Sequence, residues 1–136
     1  MKTATFSGNY TSLEKISEFV IQAAQDAGLN EQGVYEVELA VDEACCNIID
    51  HAYGGEDQGD MQCTVRVREG ELTVMLQDHG RPFNPDKVPK PIFNVPLQKL
   101  KRRGVGFYLM HKMVDELHYE PSPDRGNLLT LVKRKQ

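Results

Sequence analysis

The chain has 136 residues, of which 40% are hydrophobic and 26% charged, with a net charge of −4. That length and balance describe one globular domain of ordinary size and exclude a disordered chain. The negative net charge argues against direct nucleic-acid binding, which calls for a basic face. No apolar run approaches the roughly 18 residues that a membrane span needs, so no membrane association is expected. The opening "MKTATFSGNY" has no apolar signal core, which makes a cytoplasmic protein the expectation. Three cysteines, two of them adjacent at Cys45 and Cys46, suit buried small hydrophobes in a reducing compartment. A zinc site would have to gather Cys63 and His51 from afar.

In chain order, residues 2–8 predict a short strand. "TSLE" then offers a capping box, with Thr11 as cap and Glu14 three positions on. Leu13, Ile16, Val20, Ala23, Ala24 and Ala27 form one apolar helical face that Gly28 ends. A second helix is predicted from Asn30 to about Ala52. "CTVRV" and "LTVML" alternate as two strands, joined as a hairpin at Glu69-Gly70. Pro82, Pro85, Pro89, Pro91 and Pro96 then forbid a regular element over most of 81–103, and a loop of that length reads as a lid or binding loop. A third helix follows, with Val105, Leu109, Met113, Val114 and Leu117 on one face. Strands around 117–120 and 128–133, linked by "PSPDRG", finish the pattern. The expected architecture is α+β, a two-layer sandwich of about five strands with three helices on one face.

Three stretches carry possible chemistry. In "VDEACCNIIDHAYGG", Glu43, Asn47 and His51 fall at i, i+4 and i+8 along an otherwise apolar helix. A neutral Asn oxygen suits Mg²⁺ beside phosphate, and Glu43 one turn earlier could take a proton from an attacking hydroxyl. The plainer alternative is a half-exposed helix face. In "LQDHGRPFNP", Asp78 sits where a hydrophobic strand ends and could accept from an exocyclic amine, with Gly80 allowing close approach; the alternative is a simple Asp-x-Gly turn. In "RRGVGF", Gly104 and Gly106 open a helix whose free N–H groups favour phosphate, with Arg102 and Arg103 beside them. That stretch matches neither a Rossmann fingerprint nor a Walker loop, and the signatures of ordinary protein kinases are missing from the sequence.

Taken together, the order and spacing of these motifs resemble the GHKL ATPase superfamily, which includes DNA gyrase, MutL and the histidine kinases. "AVDEACCNIIDHAYGG", "DHGRPFNP" and "RRGVGFYLMHKMVDEL" are most similar to the bacterial anti-sigma-factor serine kinases, and the likeness runs from the first helix to the final strand. It implies a mixed-sheet sandwich of the Bergerat type forming one ATPase domain over residues 1–136, with an ATP lid at about 81–103. It implies ATP or ADP with Mg²⁺ held between the polar helix stripe and the lid. Asn47 would bind Mg²⁺, Glu43 would be the general base, Asp78 would meet the adenine amine, and Gly80 would shape the floor. Gly104, Val105, Gly106 and Phe107 would wrap the phosphates, with Arg102 or Arg103 reaching the γ-phosphate. His51 and Tyr53 match the family pattern and serve packing as readily as chemistry. One departure stands out. The family's last strand begins Gly-Thr, whereas this chain reads "GNLLT", so either Asn127 or Thr130 stands in, or the contact is lost.

By the same resemblance the chain is a serine/threonine protein kinase. Its substrate would be a small anti-anti-sigma antagonist, it would sequester a sigma factor by partner switching, and it would work as a homodimer. The alternative is a nucleotide-binding module that transfers phosphate weakly or not at all, controlling another signalling partner. A histidine kinase would need a dimerisation helix pair bearing a phosphoacceptor His. Gyrase-like ATPases need a second domain.

Overall fold

The computed structural model describes residues 1–82 and 109–136. Strand β1 (Lys2–Ser7) leads through a 3₁₀ turn into helix α1 (Leu13–Asp26), followed by α2 (Glu31–Asn47), β2 (Asp60–Arg68), β3 (Glu71–Asp78), β4 (Glu116–Glu120) and β5 (Asn127–Arg134). Residues 109–113, which precede β4, are also helical. No helix among the described residues is long and apolar enough to cross a membrane.

The sheet order is β1-β2-β3-β5-β4. All four pairings are antiparallel, which corrects the expected mixed sheet. The cause is the place of β5. Because β3 and β4 each run antiparallel to β5, they run in the same direction as each other, as a crossover connection requires. With β5 inserted between them, that parallel relation is never hydrogen-bonded.

Strict alternation sets the two faces of the sheet. Leu72, Val74, Leu76 and Asp78 of β3 are buried on the helix side, and the three aliphatic side chains meet Ile16 and Val20 of α1 and Val37, Val41 and Ala44 of α2 in a single core. Cys45 and Cys63 belong to that core, and burial pushes the Cys63 thiol up to about 12. All three cysteines are buried thiols, so they act as small hydrophobes.

Two helix ends differ from expectation. The capping box at Thr11 does not form; the N-cap of α1 is Ser12, and it makes no side-chain cap bond. The chain leaves β1 through a 3₁₀ turn at Tyr10–Ser12, and the Ser12 hydroxyl is engaged by Ser7 Oγ at 3.0 Å. At α2 the cap is Asn30, whose side chain accepts from the Gly33 N–H at 2.8 Å. The α geometry of this helix stops at Asn47 and passes into a π turn over Ile48–Ala52. Past residue 109 the helix ends at 113, and Leu117, expected on its face, belongs to β4 instead.

Candidate functional site

Where α2 turns into its π segment, it lies against the ends of β3 and β5 and leaves a pocket. Ala44, Asn47, Ile48, Ala52, Asp78 and Leu129 are among its walls, and it is partly open to solvent. The walls are mostly apolar with a few placed polar groups, which is the usual make-up of a small-molecule site.

Asp78 is the last residue of β3 and only 3% exposed. Its Oδ1 accepts from the Gly80 N–H at 2.9 Å and from Asn127 Nδ2 at 3.0 Å. Asn127 lies directly opposite Asp78 in the β3–β5 register, and its Nδ2 donates a second bond to the Gly80 carbonyl at 3.0 Å. Both partners of that amide are acceptors only, which fixes its orientation. Gly80 itself is pressed against α2's end: a Cβ there would stand 2.4 Å from the Ala52 carbonyl oxygen. The same carbonyl accepts from the Arg81 N–H at 2.8 Å. Gly126 has φ +84°, and a Cβ on it would meet the Asp78 carbonyl oxygen at 2.5 Å. A side chain is thus excluded at both glycines that flank the carboxylate.

The other polar wall is Asn47, the last α-helical residue before the π turn. Its Nδ2 is buried and has no hydrogen-bond partner among the described residues. Such orphaned groups cost about 1–3 kcal/mol and persist where something else requires them. Glu43, one turn earlier on α2, is half-buried. His51 lies within the π turn, where bonding runs five residues back, as in Tyr53 N–H to the Ile48 carbonyl at 2.9 Å. The line Glu43–Asn47–His51 therefore bends at its last member.

Tyr53 is built into the scaffold. Its hydroxyl donates to the Asp60 carbonyl at 2.7 Å and accepts from the His79 N–H at 2.9 Å. Gly59 leaves room for the ring, since a Cβ there would lie 2.5 Å from the ring's Cε1. Burial raises the phenol above its ordinary value.

Of the two residues offered as replacements for the family's Thr, the structure brings only Asn127 to this site. Thr130 is three positions on along β5, on the opposite face of the sheet from Leu129 and Leu131. Arg102, Arg103, Gly104, Val105, Gly106 and Phe107 lie outside the described residues, as does all of the expected lid beyond Pro82. The Ala52 carbonyl as an anchor for Gly80 was not foreseen. Its only sequence signal was the glycine opposite it.

Comparison with known proteins fits this geometry. The family described as "Histidine kinase-like ATPase domain" matches residues 6–133. A serine-protein kinase RsbW of Bacillus mycoides is 32% identical over 118 residues, covering 83% of this chain and 73% of the relative. A serine-protein kinase RsbW of Halalkalibacterium halodurans is 28% identical over 114 residues, covering 81% and 68%. Among solved structures, the RsbU and RsbW domains of Rv1364c from Mycobacterium tuberculosis align with a TM-score of 0.63 at 12% identity, over 98% of this chain and 32% of that longer one. The catalytic domain of histidine kinase ThkA aligns at 0.56 and 15% identity, over 99% and 97%. These two structural likenesses speak to the fold. The chain belongs to the histidine kinase-like ATPase domain family, among the relatives of the RsbW serine-protein kinases.

Proposed function

We propose that the chain is an ATP-dependent serine/threonine protein kinase of the anti-sigma-factor type. On this reading it is a single cytoplasmic ATPase domain with its lid at about 81–103. It phosphorylates a small anti-anti-sigma antagonist and, when that antagonist is modified, holds a sigma factor. The relatives above are named serine-protein kinases, which supports the transfer chemistry; the partners and a homodimeric state extend the reading.

The observation that carries it is the pocket whose two polar ends differ in kind. At one end a buried carboxylate on a strand terminus is aimed by neighbouring donors, which suits an adenine amine. At the other, the Nδ2 of half-buried Asn47 has no partner among the described residues and could donate to a phosphate oxygen while its Oδ1 faces a cation. Mg²⁺ takes only one or two protein oxygens beside phosphate and water, so a single Asn Oδ1 fits it. Bound Mg²⁺ would neutralise phosphate charge. Asn47 orients it, Glu43 takes the proton from the substrate hydroxyl, and Asp78 with Gly80 seats the base. The segment Arg102–Phe107 covers the phosphates. Phosphoryl transfer asks for little beyond such positioning and charge neutralisation.

The test is incubation with γ-labelled ATP and a small antagonist protein encoded beside this chain's gene, wild type against Glu43→Ala, with nucleotide binding measured in parallel. Wild type transfers label to a serine or threonine. The variant binds ATP within about threefold of wild type and loses about 10²–10⁴ in turnover, the usual worth of a positioned base. Binding without transfer by wild type would favour a nucleotide-regulated binding module. Failure to bind ATP at all would remove the assignment.

A further inference from the structure

On the helix side of the sheet, β5 ends with a charge where the alternating pattern calls for an aliphatic side chain. Leu129 and Leu131 point inward, and the next inward residue is Lys133, opposite Leu72 of β3 and 6% exposed. Its ammonium donates to the Met113 carbonyl at 2.7 Å and to Glu36 Oε2 at 3.2 Å. Met113 is the last residue of the helical turn 109–113, and a cation suits the free carbonyls at a helix's C-terminal end. Glu36 belongs to α2, and its side chain is 15% exposed. Asp115 docks the same stretch on β5. Its N–H donates to the Val132 carbonyl at 2.8 Å, and its Oδ2 accepts from the Arg134 N–H at 2.6 Å. Of these bonds, only the Lys133–Glu36 pair reaches α2.

The two pieces so joined are walls of the same pocket. Met110, fully buried in the turn, lines it on one side, and Ala44 and Asn47 line it from α2. Glu36 stands seven residues before Glu43, two turns of helix, and so on the same side of α2. A buried ion pair adds little to stability beyond what two apolar side chains would give, and its best-attested use is to fix register. We infer that Lys133 is a positioning residue. By holding Glu36 and the Met113 carbonyl at once, it sets the spacing between α2 and the turn that carries Met110, and with it the width of the nucleotide pocket. The inference rests on the nucleotide reading above. A wall held in place beforehand need not be ordered when the nucleotide arrives, which removes that cost from binding.

The experiment compares the full chain as wild type, Lys133→Met, the double variant Lys133→Met with Glu36→Leu, and Glu36→Gln. Mg-ATP affinity is read by calorimetric titration and stability by urea denaturation. Amide hydrogen exchange at Val114, whose N–H donates to the Met110 carbonyl at 3.2 Å, reports on the turn. Lys133→Met leaves the Glu36 carboxylate without its cation and unfolds at lower urea. The double variant removes both charges and matches or exceeds wild-type stability. Both lose about tenfold in Mg-ATP affinity, and Val114 exchanges faster in both while the strand amides of β2 and β3 in the double variant do not. Glu36→Gln keeps an acceptor for the ammonium, folds, and loses about threefold. In a merely structural role, affinity follows stability. A double variant as stable as wild type that also binds Mg-ATP as tightly therefore overturns the inference. Wild-type affinity in Glu36→Gln, with exchange at Val114 unchanged, overturns it too, and both outcomes leave the nucleotide reading intact. Wild type that fails to bind Mg-ATP removes that reading and this inference with it.

Discussion

The two ends of the pocket are finished to different degrees. Around Asp78, strand, turn and neighbouring strand are tied by short hydrogen bonds, and glycines sit where any side chain would collide with backbone. Around Asn47, an amide is buried with no partner among the described residues at the point where the helix changes its bonding pattern. The difference teaches where stability and function part company. The first end contributes to the fold whether or not a ligand arrives, and the second is a standing cost that a ligand would offset.

Asp78→Asn should break the finished end most severely. It sets one amide against another across the β3–β5 register and removes the acceptor for an amine, so ATP affinity should fall by about a hundredfold or more in titration. Gly80→Ala comes next. Its Cβ would meet the Ala52 carbonyl carbon at 2.5 Å, a backbone group that cannot rotate away. Urea denaturation should show a loss of about 1–3 kcal/mol. The smallest and most telling change is Asn47→Leu, close in size but with no polar atom. We expect unfolding stability to hold or rise by about 1 kcal/mol while Mg-ATP affinity drops. A fall in both would mean that the amide serves the fold after all, and the contrast between the two ends would collapse.

Much of this was legible in the sequence where a local rule governed it. Alternation in "CTVRV" and "LTVML" placed β2 and β3, and Asn30, Gly28 and Gly70 marked ends that the structure keeps. The motif residues Asn47 and Asp78 were named from spacing and family likeness, and the fold makes them walls of one pocket. What was not legible depended on distant partners. No residue of Ile48–Ala52 signals a π turn, and the Arg81 backbone that docks on its last residue comes from far along the chain. The Thr11 capping box failed because Thr11 lies inside the 3₁₀ turn Tyr10–Ser12, one residue before the helix cap. The antiparallel sheet followed from where β5 inserts, which local pattern does not encode. The choice between Asn127 and Thr130, by contrast, was open to a simple argument. Residues three apart on a strand face opposite sides, so only one of them could share Asp78's face.

The position of β5 also governs the order in which the molecule can be made. β5 lies between β3 and β4 and supplies the Asn127 that steadies Asp78, yet it is the last of the five strands to leave the ribosome. Until it arrives, β4 has no neighbour to pair with and β3 shows a bare edge. A nascent chain stopped before residue 127 therefore holds the polar helix stripe and the carboxylate but lacks the amide that steadies the carboxylate. Completion of the sheet is therefore a late event in synthesis, and a prematurely ended chain is left as an open-edged fragment for quality control to find.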